Sequence, residues 1–227
     1  FSAVFTPWTT IDMDLSDTYG FFEIDFPGNL DPMSYIVFNP SATTPPMTDA
    51  VAHEGTRMLA SFASINPPNN DWVITPRLNL GTGSMLRFYA RSHTNYYGLE
   101  RFQVGISTEP ELNLQSFQFV SGASYIEAPT HWTEFVYDLS AYNNQSVFIG
   151  IRCVSWDAMI LYLDDIAIYS SNSNDDPFGY PQYMPYSTSV SASVSIAGVA
   201  AEAQDVVAAF VNVNGVPQLR GKATLQD

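Results

Sequence analysis

Asp12, Asp14 and Asp17 place three carboxylates within six residues. Left unneutralised they repel one another, and a hard cation with oxygen ligands relieves that repulsion. The competing reading is a solvated acidic turn. The spacing sets Ser16 and Glu23 at EF-hand-like offsets, but such a loop needs glycine at its sixth position, where Asp17 stands. The flanks are not helical either, so an EF-hand is excluded and a cation loop is retained. Asp164 and Asp165 sit inside an otherwise apolar strand pattern, Leu161–Tyr169. Neighbouring strand residues point to opposite faces, so one of these acids must face inward or under a loop. An unpaired carboxylate there is costly, and metal ligation or a hydrogen-bonded turn offsets the cost.

Other groups carry less chemistry. Phe22-Glu23-Ile24-Asp25-Phe26 has the carboxylate alternation of some glycosidase strands, but the third acid is missing because Pro27 follows. His53, His93 and His131 are dispersed, and neither a metalloprotease helix motif nor a nucleophile elbow is present. Cys153 ends an apolar alternation and reads as a small core residue rather than a nucleophile. Tyr96 and Tyr97, in the polar segment 93–98, and Trp156, beside Asp157, are candidates for ligand binding. Their flat apolar faces and polar handles suit sugar stacking or protein contact, against ordinary loop packing.

The elements that must position these groups have a period of two. Leu86, Phe88 and Ala90 share a face, as do Phe102, Val104 and Ile106, then Phe135, Tyr137 and Leu139, then Val147, Ile149, Ile151 and Cys153. Gly, Pro, Asn and Ser turns separate them, which predicts an all-β antiparallel sandwich. In Asn70–Leu80, Pro76 forces a break between Val73-Ile74 and Leu78–Leu80, giving two short strands at a corner. Helical evidence is confined to a short turn at 107–112, and 26–46 reads as a long loop.

Composition narrows the partners. Charged residues are 14% and the net charge is −15, with Lys222 the only lysine and seven arginines scattered singly. Such a surface repels nucleic acid and anionic membranes. The excess carboxylate suits bound calcium or plain solubility. A single cysteine excludes an internal disulfide. The first residues carry no signal-peptide pattern and no apolar run spans a membrane, so the chain reads as a mature or trimmed product. Polar residues 171–179 read as a linker between a sandwich at 1–170 and part of a small second β module at 180–227. In the latter, 187–196, 205–213 and a run beginning at Leu219 are expected strands around an Asn214-Gly215 turn.

Four blocks in order resemble one family. They are Phe5-x-Pro7-Trp8-Thr9-Thr10-Ile11-Asp12-x-Asp14, the Trp72–Leu80 strand pair, His131–Tyr142 with the strand 147–152, and Leu163-Asp164-Asp165-Ile166. The chain resembles the cleaved-adhesin, or MAM-like jelly-roll, domains of bacterial surface proteins, including the adhesin domains attached to gingipains. The resemblance implies a jelly-roll sandwich, a structural calcium site, export to the cell surface, and a binding rather than catalytic role. It favours Asp164 over Asp165 as a ligand. Because jelly-roll termini meet at one edge, Asp12, Asp14 and Asp164 are expected to share one ion, with Glu54 completing it. The family's Asp-x-Asp-Gly-Asp-Gly is here Asp12-Met13-Asp14-Leu15-Ser16-Asp17, without the glycines. The expected partners are a glycan or a host or extracellular protein, and other domains of the same polypeptide. The alternatives are an architectural domain of a larger secreted hydrolase or protease, with no ligand of its own, and a carboxylate-dependent glycoside hydrolase.

Overall fold

The structure is a computed structural model. It describes residues 7–21, 23–122 and 124–169, and the backbone of 195–196, 199–200, 206–213 and 216–224. The chain divides into two compact units, Phe1–Ser170 and Ser171–Asp227. The first contains β1 (Thr9–Asp12), β2 (Ile36–Phe38), β3 (Met58–Phe62), β4 (Asp71–Ile74), β5 (Leu78–Asn79), β6 (Met85–Ser92), β7 (Arg101–Ser107), β8 (Gln118–Phe119), β9 (Ile126–Glu127), β10 (Thr133–Asp138), β11 (Ser146–Cys153) and β12 (Ile160–Tyr169). One sheet runs β1-β4-β11-β7-β8, with β5 beside β11 and β9 beside β7, and the other runs β10-β6-β12-β3-β2. All pairings are antiparallel. This is the antiparallel sandwich that the alternation predicts.

The inter-sheet core takes Leu86, Phe88 and Ala90 from β6, Phe102, Val104 and Ile106 from β7, and Val147, Ile149, Ile151 and Cys153 from β11. Two strands lose the alternation because both their faces are covered. In β4, Val73 joins the inter-sheet core while Trp72 and Ile74 meet Phe117 on the outer face. In β12, Leu161 and Leu163 face inward while Ile160 and Tyr162 meet Phe26, Phe38, Met47 and Phe62 outside.

The long loop expected at 26–46 is interrupted by two short elements. That segment contains β2 and a short 3-10 turn (Pro40–Ala42), and its apolar residues cover the outer face of the five-stranded sheet. The helical turn expected at 107–112 is also absent; a 3-10 turn forms instead at Leu114–Ser116, capped by Asn113. The corner at Pro76 holds, since β4 and β5 both pair with β11. In the second unit, β13 (Ser195–Ile196) pairs β14 (Val199–Ala200), and β15 (Val206–Val213) pairs β16 (Val216–Thr224). The expected linker at 171–179 and most of the expected strand at 187–196 lie outside the described residues.

Trp72 and Phe117 approach the seven-stranded sheet over the cross-strand pair Gly150 and Gly105. A Cβ at Gly150 would lie 3.0 Å from the rings of both Trp72 and Phe117. Gly150→Ala should therefore cost about 1–3 kcal/mol by overpacking. Chemical denaturation measures it, and unchanged stability contradicts this packing.

Candidate functional site

The strand registers bring one set of loops together. Asp12 of β1 stands opposite Asp71 of β4, Asp71 opposite Cys153 of β11, and Cys153 opposite Phe102 of β7. In the other sheet the end of β3 meets the start of β12, which meets the end of β6. Loops 13–21, 63–70, 93–100 and 154–159 thus share one end of the sandwich.

Asp71 lies on the inward side of β4 and is 1% exposed. Its Oδ2 accepts from Ser61 Oγ at 2.8 Å, across the sheets, and from Asn69 Nδ2 at 2.9 Å. Its Oδ1 is buried with no hydrogen-bond partner. One oxygen each from Asp12, Asp14 and Asp71 lie within 4.8 Å of one another. Burial is the main reason the Asp71 carboxyl is pushed up to about 7, with Asp14 and Asp12 adding to it and the Asn69 and Ser61 hydrogen bonds opposing it. Asp12 Oδ1 accepts from the amides of Asp14 and Leu15, and Asp14 accepts from those of Ser16 and Asn70. The acids are thus fixed by backbone, with one buried oxygen aimed at no donor. Three carboxylates so placed can hold a hard divalent cation.

The expected shared ion with Asp164 is not what the geometry builds. Among the described residues, the group of acids close enough to hold an ion is Asp12, Asp14 and Asp71, without Glu54, Asp164 or Asp165. Asp164 Oδ2 accepts from the amides of His53 and Glu54, at 2.9 and 3.2 Å, and its Oδ1 from that of Asp165. The carboxylate fastens loop 53–54 onto β12, and those backbone donors offset its burial. Asp165, at φ 48° in a β-bulge, turns its carboxylate to His53 Nδ1 at 2.5 Å. Glu54 is exposed and contributes its amide.

The three candidate ligand aromatics share the loop end. Tyr96 is 90%, Tyr97 66% and Trp156 59% exposed. Beneath them Glu100 is fully buried. Its carboxylate accepts from Ser155 Oγ and, at 2.6 Å, from the amide of Met159. Ser155 also accepts from the Arg101 amide, and its carbonyl accepts from the Asn69 amide, which links this loop to the acid cluster. Cys153 is buried, and burial pushes its thiol up, which suits a core residue. Glu127 is engaged by Arg101 at 3.3 Å.

No protein-family model and no curated protein matches the chain. Solved structures do. The K1 cleaved adhesin domain of Lys-gingipain from Porphyromonas gingivalis aligns with a TM-score of 0.54 and 17% identity, over 76% of this chain and 97% of that one. The K3 domain from the same organism gives 0.52 and 18%, over 74% and 94%. The K2 domain of Lys-gingipain gives 0.53 and 17%, over 73% and 90%. The fold is that of a cleaved adhesin domain.

Asp71 and Glu100 were missed as site residues, though each carries a signal. Asp71 shares parity with inward Val73, and Glu100 with inward Phe102 and Val104. Within this cleaved-adhesin fold, Leu15 stands where the motif has its first glycine, at φ 53° and 75% exposed. A side chain in the left-handed region costs about 1–2 kcal/mol, against the chain entropy glycine adds to the unfolded state. Leu15→Gly should therefore stabilise the chain by about 0.5–1 kcal/mol in thermal or chemical denaturation. A loss of stability would mean that Leu15 packs in a way its exposure does not show.

Proposed function

We propose that this sandwich is a non-catalytic binding module of an exported bacterial surface protein, with a calcium ion at Asp12, Asp14 and Asp71 and a glycan as ligand. One observation carries the reading. Tyr96, Tyr97 and Trp156 are exposed on two loops at a single end, and those loops are tied together beneath by Glu100. Solvent-exposed aromatic rings on loops tied at their base offer sugar rings apolar faces to stack on. The neighbouring adhesin domains of Lys-gingipain share the fold and support export and adhesion.

Charge narrows the glycan. Loops 13–21, 63–70, 93–100 and 154–159 carry Asp14, Asp17, Asp157 and the buried Glu100 but no lysine or arginine. Sialylated, sulfated or uronate-rich glycans would meet the exposed carboxylates of Asp17 and Asp157, so neutral glycans fit best. The same end exposes Met13, Leu15, Tyr19 and Ile65. That apolar surface favours a protein partner as the second reading.

The calcium reading rests on the unpartnered Asp71 Oδ1 and on an all-oxygen donor set. Calcium takes roughly six to eight oxygen ligands, and three carboxylates supply a large share of them. Added calcium should raise the melting temperature, and chelator or Asp71→Asn should abolish the rise. Asp164→Ala should lower the melting temperature yet keep the calcium response. A response that survives Asp71→Asn would move the ion elsewhere.

A glycan array, run in calcium and again in chelator, tests the ligand. Selective binding to neutral glycans is expected, with Trp156→Ala weakening it about tenfold, or about 1.4 kcal/mol. Silence in both conditions, or binding indifferent to Trp156→Ala and a Tyr96→Ala/Tyr97→Ala double variant, overturns the glycan reading. Binding to an extracellular protein lost in the same variants would then support the second.

A further inference from the structure

We propose that Glu100 is the positioning residue of the loop end: its buried carboxylate holds the loop bearing Tyr96 and Tyr97 and the loop bearing Trp156 in one arrangement. The proposal rests on the reading of those aromatics as a ligand surface. The two loops belong to different connections, β6–β7 and β11–β12, each crossing from one sheet to the other. Their tips share no regular ladder. Glu100 supplies what the ladder does not: one oxygen takes Ser155 Oγ and the other takes the Met159 amide, on either side of Trp156. Its own amide donates to Ser92 Oγ at 2.8 Å, which fixes the carboxylate to the end of β6. Ser155 Oγ in turn accepts from the Arg101 amide at 2.9 Å, closing the connection back onto β7.

The same placement makes the arrangement sensitive to pH. Tyr35, Tyr162 and Cys153 face Glu100 from the core, each held protonated by burial, and none supplies a positive charge. Asp71 acts on Tyr35 and Cys153 and adds negative charge. His93, on the first loop, lies against Asp49 and Tyr162, and burial lowers its pKa. Burial pushes the Glu100 carboxyl up from 4.5 to about 7, against the hydrogen bonds from Ser155 and Met159. An opened loop returns the group to water and to its ordinary range. The closed arrangement therefore binds the proton more tightly than the open one. Closure is fully supported at acid pH and weakens as pH rises toward 7, because ionised Glu100 is better hydrated in the open form.

Amide hydrogen exchange read by NMR on the full chain in calcium tests this without any ligand. The reporters are the amides of Met159 and Arg101, held by Glu100 and Ser155, and the controls are those of Val73 and Ile151, paired across β4 and β11. After correction for intrinsic rates, opening at both reporters should rise together by on the order of 70-fold from pH 5 to pH 8. In Glu100→Gln, which keeps the shape and an acceptor but cannot ionise, the reporters should stay protected and their opening should be flat with pH. Four results overturn the proposal: pH-independent reporters in the natural chain, reporters that open independently, controls that move equally with them, or a pH response that survives in Glu100→Gln and so belongs to His93 or Asp71. Silence on the glycan array with coupled reporters would remove the glycan reading and leave the Glu100 arrangement standing. Glycan binding with uncoupled reporters would do the reverse.

Discussion

A carboxylate buried between two sheets, with one oxygen unpartnered and two more carboxylates within 4.8 Å, is the constraint on which the loop end depends. Asp71 is where the two sheets, the first strand and the acidic turn after it all meet. Its Oδ2 reaches Ser61 in the opposite sheet, and Asn69 couples it to the loop carrying Trp156. Like charges placed opposite one another in a ladder destabilise it, and burial compounds the penalty. Such an arrangement is stable when a proton or a cation neutralises part of it, and backbone amides hold Asp12 and Asp14 in place. A bound cation would thus join β1, β3 and β4 at the end from which the loops bearing Tyr96, Tyr97 and Trp156 project.

The rest of the sandwich leaves that end as the place for the proposed ligand surface. Both outer faces are covered, one by Phe26, Met47, Ala50 and Ala52, the other by Phe117 with Leu112 and Leu114. Strands β4 and β12 are buried on both sides as a result, and Gly105 and Gly150 are small so that rings can lie on them. Much of each sheet face is therefore spent on packing. The loop end, by contrast, holds Tyr96, Tyr97 and Trp156 in solvent over buried acids.

The sandwich was legible because half-buried strands write their faces into the sequence at period two, and because turn residues bound them. The corner at Pro76 was legible for the same local reason. The 26–46 segment was not: its apolar residues follow no period, since they pack as irregular loop on a sheet face that only the tertiary structure defines. For the proposed site, the crowding of Asp12 and Asp14 was legible from spacing alone, and the exposure of Tyr96, Tyr97 and Trp156 from their polar surroundings. Asp164 misled, because the sequence shows that a strand acid needs compensation but not that three backbone amides provide it. Asp71 and Glu100 were hidden by position at strand starts, where parity with Val73 or Phe102 is visible only once the strand ends are known.

Terbium luminescence tests the central claim most directly. Tb³⁺ occupies calcium-type oxygen sites, and Trp72 beside Asp71 is placed to sensitise it. A cation held by Asp71 should give emission under tryptophan excitation that saturates at about one ion per chain, is displaced by calcium, and is absent in Asp71→Asn. No sensitised emission, or emission unchanged in Asp71→Asn, would contradict it, because the buried oxygen of Asp71 would then be offset by something other than a cation.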